Sequence, residues 1–305
     1  MSVLPSMRQL GYLVAVGQHL NFTKAAESCF VSQSTLSAGL KDLEDSLGAQ
    51  LVERDRQKVS ITPMGKEVIS RAVKLLTASK DLVEYTKSAS QKMTGTIRLG
   101  VIPTIAPFVL PKILPEIRAI YPQLKIALRE DLTNNLLQKI NDHQLDFALI
   151  ALPYDIDGLL VKELYTDEFW LTAKANDSAL AGKDVTVSIK MAERLLLLEE
   201  GHCIREHSLR ACRRSELANQ DGLEATSLLT LVQMVESDLG IALLPEMAIK
   251  SGILKNTDLT ARPLSAPAPK RGIALVARQT TARIDEYLAL AKIMTDIHHR
   301  ARIKK

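Results

Sequence analysis

The chain has 305 residues, of which 46% are hydrophobic and 24% are charged, and its formal net charge is +4. This length and composition are typical of a globular protein with two or three domains. No stretch approaches the roughly 18 to 20 uninterrupted apolar residues of a membrane span, and residues 1–10 lack the basic start and apolar run of a signal peptide. We therefore expect a cytoplasmic protein without a membrane partner.

The small positive charge is a weak argument for nucleic acid, so its distribution matters more than its total. Residues 1–92 contain 12 Lys and Arg against 9 Asp and Glu. Three of these basic residues, Arg54, Arg56 and Lys58, lie within five positions. Such a cluster is often a solvated turn, but it follows a possible recognition motif and could contact nucleic acid.

The first 48 residues are predicted to form short amphipathic helices with tight connections. A helix that begins near Lys24 can be capped by Asn21 or Thr23. A second helix over 33–47 can be capped by Ser32 and is ended by the glycine that follows it. Two short helices with a tight connection predict a helix-turn-helix.

A wing and a long helix are predicted next. The stretches 51–54 and 58–61 alternate apolar and polar residues around a charged turn, which favours a β-hairpin. Thr62 and Pro63 then open a helix that we expect to reach about Gln91, over roughly 42 Å. Its coiled-coil-like seam consists of Val68, Ala72, Leu75, Ser79 and Leu82. A single helix of this kind is unstable alone, so it implies a partner helix from a second subunit.

Strands alternate with helices after Thr94 and Gly95. The expected strands are 97–102, 125–129, 147–151, 241–244 and 273–277, and the expected helices are 108–120, 135–142, 227–237 and 282–298. This alternation predicts two α/β subdomains with a cleft at the carboxyl ends of strands.

The expected fold is a multidomain α+β protein. A winged helix-turn-helix occupies 1–62 and a linker helix 63–92. Regulatory subdomain I comprises 93–165 with 270–302, and subdomain II comprises 166–269 and carries two cysteines.

One long motif carries a family resemblance. Residues 21–48 read NFTKAAESCFVSQSTLSAGLKDLEDSLG, followed by LVER at 51–54 and TPMG at 62–65. This pattern resembles the LysR family of bacterial transcriptional regulators, whose regulatory domain has a periplasmic-binding-protein-like fold. The resemblance implies a DNA-binding protein and not an enzyme. Its implied partners are promoter DNA, RNA polymerase and further copies of itself, with which it forms a dimer or tetramer. The expected DNA-binding residues are Ser32, Gln33, Ser34, Thr35 and Ser37 on the recognition helix and Arg54 in the wing.

The most unusual stretch, EEGHCIREHSLRACRR at 199–214, places two thiols nine residues apart among histidines and arginines. Positive neighbours stabilise a thiolate, the form that reacts with peroxide, so His202 and Arg205 favour Cys203 as the thiol oxidised first. Cys212 would then resolve the sulfenate. Nine residues of helix separate two Cα atoms by roughly 14 Å, whereas a disulfide needs less than about 7 Å. Bonding the two cysteines would therefore change the conformation of this segment.

The segment also resembles the sensing segment of the peroxide-sensing members of the LysR family, through its Gly-His-Cys-x-Arg pattern and second cysteine. The resemblance implies that a Cys203–Cys212 disulfide activates oxidative-stress genes. It implies that Thr104 and Thr133 help to hold peroxide beside the sulfur, with His202 and Arg205 as supporting groups. The pair Leu223 and Glu224 departs from this resemblance, which implies more polar or aromatic residues at these positions.

Several alternatives remain at the residue scale. Thr104 could cap the following helix, and Cys29 is better explained as a small core residue than as a redox group. A zinc site from Cys203, His207 and Cys212 lacks a CxxC element and has arginines around it, so we expect no metal and no cofactor.

Other functions also remain open. A LysR-type regulator could instead bind a small metabolite in the cleft. A thiol peroxidase or oxidoreductase is disfavoured, because the chain has no CxxC motif and the DNA-binding end would be unexplained. A periplasmic solute-binding protein would share the cleft but would need a signal peptide.

Overall fold

The computed structural model describes residues 4–55, 58–88, 93–181, 185–186, 191, 193–211, 224–265 and 268–303. The chain divides into two compact units, Met1–Ser90 and Gln91–Lys305. Each has its own apolar core. No helix in the part of the chain that the structure describes is long and apolar enough to cross a membrane.

Three helices form the start of the first unit: α1 Met7–His19, α2 Phe22–Ser28 and α3 Gln33–Leu47. α2 begins two residues before the predicted Lys24, because the Asn21 side chain accepts a hydrogen bond from the Lys24 N–H. α3 has the predicted bounds, with Ser32 accepting from the Thr35 N–H and Gly48 in the left-handed region at φ 63°. The predicted helix-turn-helix is thus confirmed.

The wing and the long helix follow. β1 Val52–Asp55 pairs antiparallel with β2 Lys58–Ile61, as predicted. α4 Pro63–Ser88 is capped by Thr62, whose hydroxyl accepts from the Gly65 N–H at 2.9 Å. Its expected end near Gln91 lies outside the described residues.

The predicted seam of α4 divides into two parts. Ala72 is buried in the core of its own unit, where it packs with α1. Leu75 and Leu82 are 51% and 65% exposed. The first part of the seam therefore packs within the subunit, and the later leucines remain available to a partner helix.

The second unit is built on a sheet with the order β10-β6-β11-β5-β3-β4, and β9 also pairs with β6. Its strands are β3 Gly95–Val101, β4 Leu124–Glu130, β5 Phe147–Leu152, β6 Leu159–Lys174, β9 Ala242–Pro245, β10 Leu259–Pro263 and β11 Lys270–Arg278. β3 runs parallel to both β4 and β5. The carboxyl ends of these three strands therefore meet at one edge of the sheet.

Helices cover the sheet and a small ribbon adjoins it. The helices are α5 Ala106–Ile120, α6 Thr133–Asn141, α7 Cys203–Ala211, α8 Leu228–Glu236, α9 Glu246–Lys250 and α10 Ile284–Ile303. The ribbon pairs β7 Leu197–Leu198 in parallel with β8 Glu224–Ala225. The predicted alternation of strands and helices is confirmed, but the 16-residue strand β6 was not predicted.

Candidate functional site

Cys203 lies at the start of α7, within the second unit. It is a free thiol, 7% exposed. Gly201, two residues earlier, has φ 93°, and a Cβ there would lie 2.9 Å from Leu132 Cδ1. Only glycine suits both this conformation and this close approach. The turn before Cys203 therefore packs against the residue that precedes α6.

Two polar groups contact the sulfur of Cys203. Thr104, in the turn after β3, has its hydroxyl oxygen 3.8 Å from Sγ. Arg271 Nη1 lies 3.7 Å from Sγ and donates to Thr104 Oγ1 at 2.9 Å, while Nη2 donates to the Thr104 carbonyl at 3.1 Å. Because the threonine oxygen accepts from the guanidinium, its own O–H can donate to the sulfur or to a ligand beside it. The guanidinium therefore contacts both the sulfur and the threonine hydroxyl.

Arg271 is fixed by its own partners. It is fully buried on β11, and Nε donates to the carboxylate of Asp167, its cross-strand partner on β6, at 3.1 Å. Its guanidinium also lies 5.7 Å from the centre of the Phe169 ring. Burial raises the pKa of Asp167, and the opposing effects of Arg271 and of the Met247 N–H limit that rise. A buried cation with a buried counter-ion is held in place beside Cys203.

His202 is buried next to the thiol. Desolvation lowers the pKa of its imidazole, and the nearby Glu199 carboxylate only partly opposes this effect. The imidazole is therefore neutral near pH 7, and Arg271 is the cation in contact with the sulfur.

Arg205, the other predicted supporting group, is engaged elsewhere. Its Nη1 donates to the Leu198 carbonyl at 3.1 Å and also to the carboxylate of Glu224. Thr133 is the first residue of α6 and is buried. Cys212 lies outside the described residues.

Sequence reasoning missed Arg271 and Asp167. The predicted strand began at Ile273, which left Arg271 outside it, whereas β11 begins at Lys270. Arg271 falls on the same face of the strand as the buried Ile273, so the alternation of the strand could have predicted that this arginine points inward. Asp167 lies on β6, which was not predicted, so no such signal was available for it.

Thr104 does not cap the helix that follows it. The cap position of α5 is Ile105, which makes no side-chain cap hydrogen bond. The alternative role of Thr104 as a helix cap is therefore wrong. Cys29 is half-buried and packs against the core of the first unit, as expected for a small core residue.

A cavity of about 720 Å³ opens beside Cys203. Its described lining is mostly polar and includes Asn134, Gln138, Asn141, Tyr154, Asp157 and His202. This volume is sufficient for a small metabolite. Within the described residues, no group of three or more His, Cys, Asp or Glu side chains could hold a metal ion. The zinc set considered above includes Cys212, which those residues do not cover.

In the first unit, α3 presents a run of hydroxyls. Ser32, Gln33, Ser34 and Thr35 are exposed, and Ser37 is half-buried. Ser32 Oγ lies 2.8 Å from Ser34 Oγ and 2.7 Å from Thr35 Oγ1, so the serine that caps the helix also links its first turn. The Arg54 backbone lies in β1, and its side chain is outside the description.

Comparisons with known proteins agree with this fold. Residues 7–66 match the family model of the bacterial regulatory helix-turn-helix protein of the lysR family, and residues 90–296 match the LysR substrate binding domain. The HTH-type transcriptional regulator EstR from Acinetobacter baylyi is 41% identical, over 97% of this chain and 98% of the relative. The DNA-binding transcriptional dual regulator OxyR from Escherichia coli K12 is 35% identical, over 94% of each.

Solved structures give the same result. A full-length OxyR variant from Pseudomonas aeruginosa has a TM-score of 0.76 and 32% identity, over 96% of this chain and 98% of that chain. A hydrogen-peroxide-bound OxyR variant from Corynebacterium glutamicum has a TM-score of 0.65 and 30% identity, over 99% of this chain and 95% of that chain. The fold and the helix-turn-helix define a DNA-binding transcriptional regulator. The chain belongs to the LysR family, and OxyR proteins are among its relatives.

Proposed function

We propose that this LysR-type regulator senses hydrogen peroxide through Cys203 and activates oxidative-stress genes. The observation that carries the proposal is the contact of a buried thiol with the Thr104 hydroxyl at 3.8 Å and with the fully buried Arg271 at 3.7 Å. A buried thiol needs no such neighbours for packing, and a reactive thiolate is stabilised by a cation. Relatives named as hydrogen peroxide-inducible genes activators support the same function.

The proposed chemistry has two steps. The Cys203 thiolate attacks one peroxide oxygen, the O–O bond breaks, and the departing hydroxide takes a proton and leaves as water. The sulfenic acid that remains is attacked at sulfur by the Cys212 thiolate, the S–O bond breaks, and hydroxide leaves as the Cys203–Cys212 disulfide forms. Peroxide is reduced by two electrons, and the two thiols supply them.

The residues around the sulfur have distinct proposed roles. Thr104, which accepts from Arg271, donates its O–H to a peroxide oxygen. Neutral His202 takes or returns a proton, and Thr133 contributes a hydroxyl from the start of α6. Arg205 supports the turn that carries Cys203 instead of contacting peroxide, because its guanidinium already binds Leu198 and Glu224.

The remaining expectations are also proposals. Ser32, Gln33, Ser34, Thr35 and Ser37 contact the major groove, and Arg54 contacts phosphates beside it. Exposed leucines on α4 support association of the chain with itself, as a dimer or tetramer. Action with RNA polymerase and a cytoplasmic location are proposed from the family resemblance.

The subdomain boundaries proposed within the second unit are 93–165 with 270–302 and 166–269. They are supported by β6, which pairs with β11 as far as Glu168 and with β9 and β10 from Phe169 onward.

Counting free thiols tests the peroxide proposal directly. After one equivalent of peroxide, the number of reactive thiols per denatured chain should fall from three to one, because Cys203 and Cys212 pair and Cys29 does not react. Three remaining thiols would contradict the proposal.

A second candidate is a regulator that responds to a metabolite. The polar cavity of about 720 Å³ beside His202 favours it. In that case peroxide leaves three thiols, and a small ligand raises the melting temperature of the full chain.

A further inference from the structure

The ion pair between Arg205 and Glu224 joins the helix that precedes the chain segment containing Cys212 to the strand that follows that segment. Arg205 lies in the first turn of α7, two residues after Cys203, and Glu224 is the first residue of β8. The Arg205 side chain is 8% exposed and that of Glu224 36%. The carboxylate is thus accessible, but the guanidinium it neutralises is buried.

The same guanidinium attaches the start of α7 to both strands of the ribbon. It donates to the carbonyl of Leu198 on β7 as well as to Glu224 on β8. The strands pair Leu197 with Glu224 and Leu198 with Ala225. One side chain therefore holds the turn that carries Cys203 against β7 and β8 together.

This turn must move before a disulfide can form. α7 is helical from Cys203 to Ala211, so the Cα atoms at its two ends are about 12 Å apart. Cys212 follows Ala211, and consecutive Cα atoms are about 3.8 Å apart. A disulfide needs its Cα atoms within about 7 Å, so bonding Cys203 to Cys212 requires the helix between Cys203 and Ala211 to change. The Cys203 sulfur also faces inward, toward Thr104 and Arg271.

We propose that Glu224 is a positioning residue which, through Arg205, holds the start of α7 in its reduced arrangement and so slows formation of the Cys203–Cys212 disulfide. This inference rests on the proposed peroxide-sensing function. Moving the turn separates the Arg205 guanidinium from the Glu224 carboxylate or leaves the guanidinium buried without that carboxylate. Because both changes cost free energy, the ion pair opposes the second oxidation step. The first step is unaffected, since Thr104 and Arg271 contact the sulfur in the resting protein.

Separating the two steps tests this role. In full-length Glu224→Ala, the conversion of Cys203 sulfenate into disulfide should be roughly tenfold faster than in the wild type, with a smaller gain in Glu224→Gln, which keeps an acceptor. The thiol–disulfide equilibrium of Cys203 and Cys212, measured against a dithiol buffer, should also shift toward the disulfide. A tenfold shift corresponds to about 30 mV in the reduction potential of the pair. The rate of sulfenate formation, measured in a Cys212→Ser background, should differ by no more than about twofold between chains with Glu224 and chains with Glu224→Ala. Quenching by alkylation, followed by mass spectrometry, resolves both steps.

Glu200→Gln is the matched control, because it removes an exposed carboxylate from the neighbouring turn and should leave both rates unchanged. Circular dichroism checks that each variant is folded. A disulfide that forms in Glu224→Ala at the wild-type rate or more slowly overturns the positioning role alone. A wild-type chain that forms no disulfide at all overturns the proposed function and this inference with it.

Discussion

At the residue scale, the surroundings of the Cys203 sulfur are built from side chains that are distant in sequence. Thr104 follows β3, and Arg271 belongs to β11 and is paired with Asp167 on β6. A hydroxyl that accepts from a guanidinium is left with one O–H to donate. This division of hydrogen bonds gives Thr104 a defined direction beside the sulfur.

Replacing that hydroxyl should therefore slow oxidation without unfolding the chain. Thr104→Val keeps the side-chain shape, and we expect the rate of Cys203 oxidation by peroxide to fall by roughly tenfold or more. Thr172→Val is the matched control, because Thr172 is fully buried on β6 and its hydroxyl has no hydrogen-bond partner in the described structure. Stopped-flow oxidation rates that are equal in Thr104→Val and the wild type would contradict this role.

His202 should make the stability of the second unit depend on pH. Burial lowers the pKa of the folded imidazole below its ordinary value of 6.5, so the unfolded chain binds the proton first as pH falls. The free energy of unfolding should therefore decrease from about pH 7.5 to about pH 5.5, and His202→Asn should reduce that decrease. The single tryptophan, Trp170, lies on β6 and reports unfolding of this unit by fluorescence.

His19→Asn is the control for the pH experiment, since His19 ends α1 in the other unit. Its slope of stability against pH, followed through Trp170, should equal that of the wild type. An equal slope in His202→Asn as well would show that His202 does not carry the effect.

At the scale of elements, the first turn of α3 carries both a capping hydroxyl and exposed polar side chains. Ser32 is its cap, and the residues just after the cap are exposed. A capping hydroxyl stabilises the helix, whereas an exposed amide one position later is available to a base edge. Ser32 therefore has a capping role in this turn that Gln33 lacks.

Two neighbouring substitutions should separate these functions. Ser32→Ala should lower the free energy of unfolding of the first unit by about 1 kcal/mol, because the Thr35 N–H loses its acceptor. Gln33→Ala should change that free energy by less than about 0.5 kcal/mol but weaken specific DNA binding by about tenfold. Chemical denaturation and operator titration at fixed salt measure the two quantities. Unchanged operator affinity in Gln33→Ala would place the recognition surface elsewhere.

At the scale of the whole molecule, local signals predicted the elements, and tertiary contacts determined the chemistry. The bounds of α3 followed from a capping serine and a terminal glycine, which act within a few residues. β6 was missed because charged residues such as Lys162, Glu163 and Asp167 interrupt its apolar pattern. The ion pair of Asp167 with Arg271 joins positions far apart in the chain, and no local pattern predicts such a pair.

Intact mass spectrometry after an equimolar peroxide pulse tests whether Cys203 is oxidised first and Cys212 resolves it. Cys203→Ser should show no oxidation by this route and no transcriptional response to peroxide. Cys212→Ser should gain one oxygen at Cys203 at a rate similar to the wild type, but should form no intramolecular disulfide. Cys29→Ser should behave as the wild type. A Cys203→Ser protein that still responds fully to peroxide would contradict the account.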